Sequence, residues 1–390
     1  MDDRFTPEEQ NVLDTLHDFC IREVQPLAAE IDEEERFPAG TVETLAKMGM
    51  LGLPFPKEHG GAGLSFTAYT AACEMLARYC ASTSITVSAH CSLCCWPIFE
   101  YGTDGQKKKY LSPLLSGEKL GAFALTESLA GSDAAMQETT AADNGGHWLI
   151  NGSKTFITNA GYADVFVVFA MTDKEKGNKG ISAFIVEKGF PGLSIGLEEK
   201  KMGIRASSTC GLFFDDMPVP KENLLGELNK GFKIALSTLD GGRIGVAVQA
   251  LGIAESAICE CLEYVAHRVQ FGQTINSFQN TRFELADIET GVEAARLLTY
   301  RAAKARQDRR PHSHLAAQAK LFASRMANSA SRRCLQLIGG YGYSRDYPFE
   351  RLMRDAKITE IYEGTSEVMK MIIADSIIGD TPQIRPQERA

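Results

Sequence analysis

Near the end of the chain a glutamate stands directly before a glycine, in Tyr362-Glu363-Gly364-Thr365. The surrounding stretch, Ile358 to Ile373, otherwise follows a helical pattern with an apolar face, and Gly364 interrupts it. A lone glutamate in a helical run is ordinarily a solvated surface residue. Here Ile361 and Tyr362 are apolar neighbours, and Gly364 permits close backbone approach. A carboxylate held in apolar surroundings keeps its proton more tightly than in water, which suits a general base working near neutral pH.

Other stretches carry weaker signals. FALTESLAGSD, Phe123 to Asp133, has hydroxyls at Thr126, Ser128 and Ser132 and a turn at Gly131. Hydroxyls and free N–H groups at a strand end can hold a flat polar heterocycle or phosphates, although an ordinary β-turn explains them equally well. Phe156-Ile157-Thr158 repeats the aromatic-plus-hydroxyl theme on a neighbouring β segment. RVQFG, Arg268 to Gly272, ends a long helix, where an arginine also satisfies the helix dipole. QLIGGYGY, Gln336 to Tyr343, ends another with a glycine pair. That pair reads as helix-stop chemistry or as a place where backbone meets a pyrophosphate. It is not the Rossmann fingerprint, because no strand precedes it. Ten cysteines are present, and CSLCC (Cys91 to Cys95) has a zinc-like pair spacing. A zinc site needs a second matching pair, so the cysteines read as small buried apolar residues and no metal is expected.

The elements that must position these residues change along the chain. Its 390 residues suit two or three domains. Residues 1–120 read as helices: Val12, Leu16, Phe19 and Val24 form an apolar stripe, and Thr41–Met50 and Tyr69–Tyr79 follow. Residues 121–228 turn β-like, with short β-branched or aromatic runs punctuated by Gly and Asn. Residues 229–390 return to long helical periods, as in Val248, Leu251, Ala254, Ile258, Leu262, Val265 and Val269, or Leu315, Ala319, Phe322, Met326 and Ala330. The expected fold is α+β and multidomain: an N-terminal α-helical domain, a middle β-barrel or sandwich, and a C-terminal four-helix bundle. The net charge of −9 argues against nucleic acid as a partner. No apolar run approaches the roughly 18 residues of a membrane helix. The acidic start, MDDRFTPEEQ, lacks the features of a secretory signal, which points to the cytoplasm, or to the mitochondrial matrix for a processed eukaryotic form.

Taken together, PKEHGGAGLS, FALTESLAGSD, NGSKTFITNA, KMGIRASST, LDGGRIGVAVQALGIA, RVQFGQTINSFQ, QLIGGYGYSRDYPFERLMRDAKI and TEIYEGTSE resemble the acyl-CoA dehydrogenase family of flavoenzymes in order and spacing. The resemblance covers nearly the whole chain and is greatest to its short-chain, butyryl-CoA branch. It implies FAD as cofactor and Glu363 as the base that takes the α-proton of an acyl-CoA. A β-hydride then goes to FAD N5, a trans-2-enoyl-CoA forms, and electrons pass on to an electron-transfer flavoprotein. It further implies that Phe123, Leu125, Thr126, Ser132, Phe156 and Thr158 hold the flavin ring. Arg268, Phe271, Phe278 and Gln279, with Gln336, Gly339 and Gly340, would hold the FAD pyrophosphate and adenosine across a subunit boundary. Thr365 and Glu367 would face the cofactor, and Ser132, Asp240 and Arg243 the CoA moiety, while Gly364 makes room for the acyl chain. The implied assembly is a homotetramer, a dimer of dimers. Ser128, Trp96, Gly211, Met369 and Lys370 depart from the usual family pattern. The alternative is the same fold acting on a branched, cyclic or aryl-substituted acyl-CoA, possible also in the enoyl-CoA reductase direction. A catalytically silent flavin- or CoA-binding scaffold is the reading from another class, and the intact Glu363 argues against it.

Overall fold

The computed structural model describes residues 4–379. Helix α1 (Pro7–Phe19) begins at Thr6, whose hydroxyl accepts from Glu9 N while Glu9 accepts from Thr6 N. The second Glu9 oxygen accepts from Ser65 N at 2.9 Å, so the cap also fastens the start of α2 (Phe66–Tyr79). From α3 (Ala81–Ser88) the chain stays helical through Tyr101, with wider π-type turns over Ala89–Cys95. Residues 81–95 of this run are buried throughout, including Cys91, Cys94 and Cys95. Nine of the ten cysteines are buried and none is in a disulfide, and no cluster of metal-binding side chains occurs among the described residues.

The middle region is one mixed sheet of eight strands: β1 (Gly121–Ala124), β2 (Thr140–Asp143), β3 (His147–Thr158), β4 (Val165–Met171), β5 (Ile181–Glu187), β6 (Leu193–Glu198), β7 (Thr209–Pro220) and β8 (Leu224–Leu225). The order is β6-β7-β3-β2-β4-β5-β8, with β1 parallel to β4. Strand β4 shows why the sheet sits at the centre of the chain. Successive side chains of a strand point to opposite faces. Val165, Val167 and Phe169 pack into the core shared with the N-terminal helices, while Phe166, Val168 and Ala170 pack into the core of the sheet's other face. A strand buried on both sides reads as an uninterrupted apolar run, which VFVVFAM is.

A buried charge pair lies inside this region. Lys154 Nζ donates to Glu127 Oε1 at 2.6 Å, to the Leu125 carbonyl at 3.0 Å and to Gln137 Oε1 at 3.1 Å. Glu127 in turn accepts from the N–H groups of Glu138 and Thr139. The loop from Leu125 to Thr139 is thereby wrapped around a single buried ammonium.

The C-terminal region is helical: α4 (Gly231–His267), α5 (Gln279–Gln307), α6 (Ser313–Ile338), α7 (Phe349–Ile358) and α8 (Ser366–Ile378). Small residues on α4 (Ala250, Ala254, Ala257) and α6 (Ala316, Ala319, Ala323, Ala327) share one core, so the two helices approach closely. Helix α4 is long and apolar enough to cross a membrane by composition, contrary to the expectation for the chain. Of its most apolar 18-residue window, 83% is buried inside the fold, which accounts for the apolarity. Three positions of the expected apolar stripes are corrected. Leu262, Val269 and Phe322 are exposed: Leu262 lies off the face of α4 that buries Cys261 and Val265, Val269 lies beyond the end of α4, and Phe322 stands off the α4-facing side of α6. Nor does RVQFG only end a helix: α4 stops at His267, and Val269–Gln270 pairs with Gln273–Thr274 as a small hairpin with Phe271 in the left-handed region at its tip.

Lys154→Met leaves Glu127 buried without its cation. Loss of about 3–5 kcal/mol of stability is expected in chemical denaturation, with the Glu127→Gln/Lys154→Met double variant recovering part of it.

Candidate active site

Helix α7 ends at Ile358, and a tight turn leads to Thr365, whose hydroxyl caps α8 by accepting from Val368 N at 3.3 Å. Inside that turn Glu363 has φ of 54° and Gly364 has φ of 101°. Glycine adopts this conformation freely, whereas a residue with a Cβ resists it by about 1–2 kcal/mol. The surroundings hold it there. Lys320 of α6 donates to the Gly364 carbonyl at 2.5 Å, and Arg243 Nε of α4 reaches the Glu363 carbonyl at 3.5 Å. Tyr362 donates to Gln249 Oε1, and Gln249 Nε2 donates to the Ala81 carbonyl at 3.1 Å, which ties the turn to α4 and α3.

The Glu363 carboxylate lies flat against α4 at Gly242. A Cβ there would stand 1.9 Å from Glu363 Oε2 and 2.7 Å from Leu93 Cδ2, so only glycine leaves room for the acid. Oε2 is sealed from solvent and has no hydrogen-bond partner, although the residue as a whole keeps some exposure. Burial pushes its pKa up to about 7, against the opposing pull of the Lys320 and Arg243 charges. Burial likewise brings the Lys320 ammonium down to about 8, with Glu363 pulling the other way. One turn along α4, a Cβ at Gly245 would stand 2.3 Å from Ser88 Oγ. The GGRIG stretch of α4 is therefore a seam of absent side chains against which Glu363 and the Ser88–Leu93 helix both fit.

Arg243 Nη1 donates to Asp240 Oδ1 at 2.7 Å, and Ser313 also donates to Asp240. Asp240, Arg243, Glu363, Gly364 and Thr365 thus converge. Glu367 is exposed on the first turn of α8, 3.3 Å from Lys370. Phe123, Leu125, Thr126, Phe156 and Thr158 gather at the ends of β1 and β3, where Thr155 N donates to the Thr126 carbonyl at 2.9 Å. Phe156 sits at a bulge of β3 with φ of 57° and is 64% exposed, which turns an aromatic ring outward from a sheet edge. Ser132 is exposed in the loop that Lys154 organises. Asn159 links this edge to α3 and β1, donating to the carbonyls of Thr86 and Gly121 at 3.0 and 3.3 Å.

Arg268, Phe271, Phe278, Gln279, Gln336, Gly339 and Gly340 gather elsewhere, at the far end of α4. Arg268 lies over the Tyr341 ring at 5.7 Å and Phe271 meets Phe278 edge-on, bringing the RVQFG and QLIGGYGY stretches together. Phe271 is 95% exposed. Among the described residues no hydrogen bond, ion pair or ring contact joins this group to Glu363 or to the Phe156 edge.

The donor set fits a dinucleotide flavin. The first edge offers an outward aromatic, hydroxyls and backbone groups, as a flat heterocycle requires, and a sealed, unpartnered carboxylate oxygen stands on the α4 side. The second group offers a guanidinium, two side-chain amides and a glycine pair that lets backbone approach a ligand closely, as a diphosphate requires.

Sequence reasoning missed Lys320, Gly242 and Leu93. Lys320 had one signal: it is the lysine of an otherwise alanine-rich buried face, Ala316, Ala319, Ala323. Gly242 had none, since its role depends on a residue 121 positions away.

Comparison with known proteins agrees with this geometry. Residues 6–118, 122–217 and 229–378 match the acyl-CoA dehydrogenase N-terminal, middle and C-terminal domains. The short-chain specific acyl-CoA dehydrogenase of Clostridium acetobutylicum is 54% identical over 97% of this chain and all of its own length. The butyryl-CoA dehydrogenase structure from Megasphaera elsdenii superposes with a TM-score of 0.95 at 49% identity, over 97% of this chain and 100% of that one. A chain solved in work on the electron transferring flavoprotein of Acidaminococcus fermentans and flavin-based electron bifurcation gives a TM-score of 0.96 at 48% identity, with the same coverage. With its three regions matched in order and relatives about half identical over nearly its whole length, the chain belongs to the acyl-CoA dehydrogenase family.

Proposed function

We propose that this protein is a short-chain acyl-CoA dehydrogenase in which Glu363 takes the α-proton of a butyryl-CoA-like thioester to give the trans-2-enoyl-CoA. The observation that carries the reading is the Glu363 carboxylate itself: sealed, unpartnered at Oε2, and poised near neutrality. The similarity to short-chain and butyryl-CoA dehydrogenases supports the substrate class.

A free carboxylate is far too weak a base for a proton beside a thioester. Three features of this chain narrow the gap. Burial raises the basicity of Glu363. The left-handed turn, held by Lys320 and Arg243, fixes its direction, so little reorganisation precedes proton transfer. Its backbone N–H lies in the same rigid turn, where it can donate to the thioester oxygen as negative charge develops there. Arg243 and Asp240 stand beside the base to receive the CoA portion, and Gly364 leaves space for the acyl chain. Phe123, Leu125, Thr126, Ser132, Phe156 and Thr158 would hold the flavin ring of FAD, with Thr365 and Glu367 at its edge, and bound FAD supplies the hydride acceptor. Arg268, Phe271, Phe278, Gln279, Gln336, Gly339 and Gly340 are assigned to the diphosphate and adenosine of a neighbouring subunit's FAD in a homotetramer. Their separation from Glu363 within one chain supports that assignment. The similarity to the chain studied with the A. fermentans flavoprotein supports an electron-transfer flavoprotein as redox partner. The same site also serves the reverse direction, enoyl-CoA reduction, in which protonated Glu363 returns the α-proton.

Butyryl-CoA added anaerobically should bleach the flavin absorbance rapidly in the wild type. In Glu363→Gln the rate should fall by at least about a thousandfold with flavin still bound. A bound flavin that butyryl-CoA does not bleach would sink the short-chain assignment and turn the search to bulkier thioesters.

Gly242→Ala should lower the bleaching rate by roughly a hundredfold while the protein stays folded, because the new methyl displaces the base. An unchanged rate would show that the acid does not work from its place against α4.

The base acts only when ionised, so the rate of flavin reduction should rise about tenfold per pH unit below about 7 and level off above it. Enoyl-CoA reduction should show the opposite limb. The folded pKa lies above the ordinary value of 4.5, so the folded state holds this proton more tightly than the unfolded one. The contribution to stability is full below about 4.5 and is lost as pH rises through about 7. Glu363→Gln should therefore gain stability relative to the wild type between pH 5 and pH 8, by at most roughly 3 kcal/mol in thermal melts.

A further inference from the structure

We propose that a cleft between the 54–66 segment and the helix turn at Trp96 is a second ligand site, which takes a small free carboxylate on the guanidinium of Arg306. The cleft has a volume of roughly 270 Å³ and is lined by Phe66, Tyr69, Ser92, Trp96 and Phe99, with Arg309 at its mouth. Arg306 enters it from α5 and is only 5% exposed. Its guanidinium lies 4.1 Å from the Trp96 ring centre and 4.9 Å from that of Phe66. Nε and Nη2 are buried with no hydrogen-bond partner.

A buried cation without a counter-charge is costly, and contact with aromatic faces returns only part of that cost. The nearest carboxylates are engaged elsewhere. Asp240 is held by Arg243 and Ser313, and Glu100 stands 3.8 Å from Arg309. Burial already draws the Arg306 guanidinium down to about 10. Two adjacent N–H donors in a fixed plane match the two oxygens of a carboxylate. The aromatic walls suit a short alkyl group behind it and leave little for a larger polar molecule.

The site is separate from the base. Arg306 abuts Gly241 and Glu363 abuts Gly242, and consecutive residues of a helix point about 100° apart. The two therefore meet different faces of α4, and the ligand is a free acid and not the tail of the bound thioester.

Trp96 is a built-in reporter. The chain's other tryptophan, Trp148, lies in the middle region under Lys221 at 3.8 Å. The holoenzyme is titrated with sodium acetate and sodium butyrate at constant ionic strength made up with chloride, reading tryptophan emission and flavin absorbance together. The expected result is a saturable emission change with Kd in the roughly millimolar range and an unmoved flavin spectrum. The change should be lost in Trp96→Phe and weakened at least about tenfold in Arg306→Met. Arg306→Lys, which keeps the buried charge without the planar fork, should fold and also bind more weakly, and it decides the matter if Arg306→Met does not fold. The proposal is overturned if chloride alone reproduces the response or if Arg306→Lys titrates as the wild type does. A flavin spectrum that moves in step with the emission also overturns it, since the acid then sits in the thioester pocket. The tryptophan signal needs no turnover, so failure here and failure of the dehydrogenase assignment remain distinguishable.

Discussion

An acid with a sealed, unpartnered oxygen does not stay in place by its own bonding, and the site depends on the restraint that holds Glu363 against Gly242. No protein group hydrogen-bonds its Oε2, so the restraints act on the chain around the acid. Lys320 holds the carbonyl after it, Arg243 approaches its own carbonyl, Tyr362 anchors the residue before it, and Thr365 starts α8 directly behind it. The resulting acid is aimed without being hydrogen-bonded. That combination keeps it basic, because a hydrogen bond to the charged form would stabilise it and lower its pKa.

The same economy recurs in the middle region. A loop whose hydroxyls and backbone groups point outward cannot use them to hold itself together. Lys154 does this from beneath, gathering the Leu125 carbonyl, Glu127 and Gln137 with one ammonium. The buried pair is weak evidence for net stability, but it gives the loop a single shape. At both places a buried lysine fixes a backbone carbonyl: Lys320 that of Gly364, Lys154 that of Leu125.

Absent side chains matter as much as present ones. Gly241, Gly242 and Gly245 put α4 within contact of Arg306, Glu363 and Ser88 in turn, three partners from three parts of the chain. A single helix thus serves as the wall for the base on one side and for the Arg306 cleft on the next. The long apolar character of α4, membrane-like by composition, follows from being packed by helices and sheet on most of its surface.

The sequence by itself determined the order of helical, β and helical regions, because period and composition are local properties that survive without tertiary information. It also determined the family, through stretches such as IYEGTSE and FALTESLAGSD, and it pointed to Glu363 through its glycine and apolar neighbours. It misjudged Leu262, Val269 and Phe322, since a helical stripe says which residues share a face but not how far the partner extends along it. Only the tertiary structure decided that Gly242 makes the space for Glu363, that Lys320 holds the turn, and that Arg306 is buried without a counter-charge. Each of these joins residues tens to more than a hundred positions apart. Burial and the pKa shifts it causes arise from where the folded chain places its parts, and no single stretch of residues contains them.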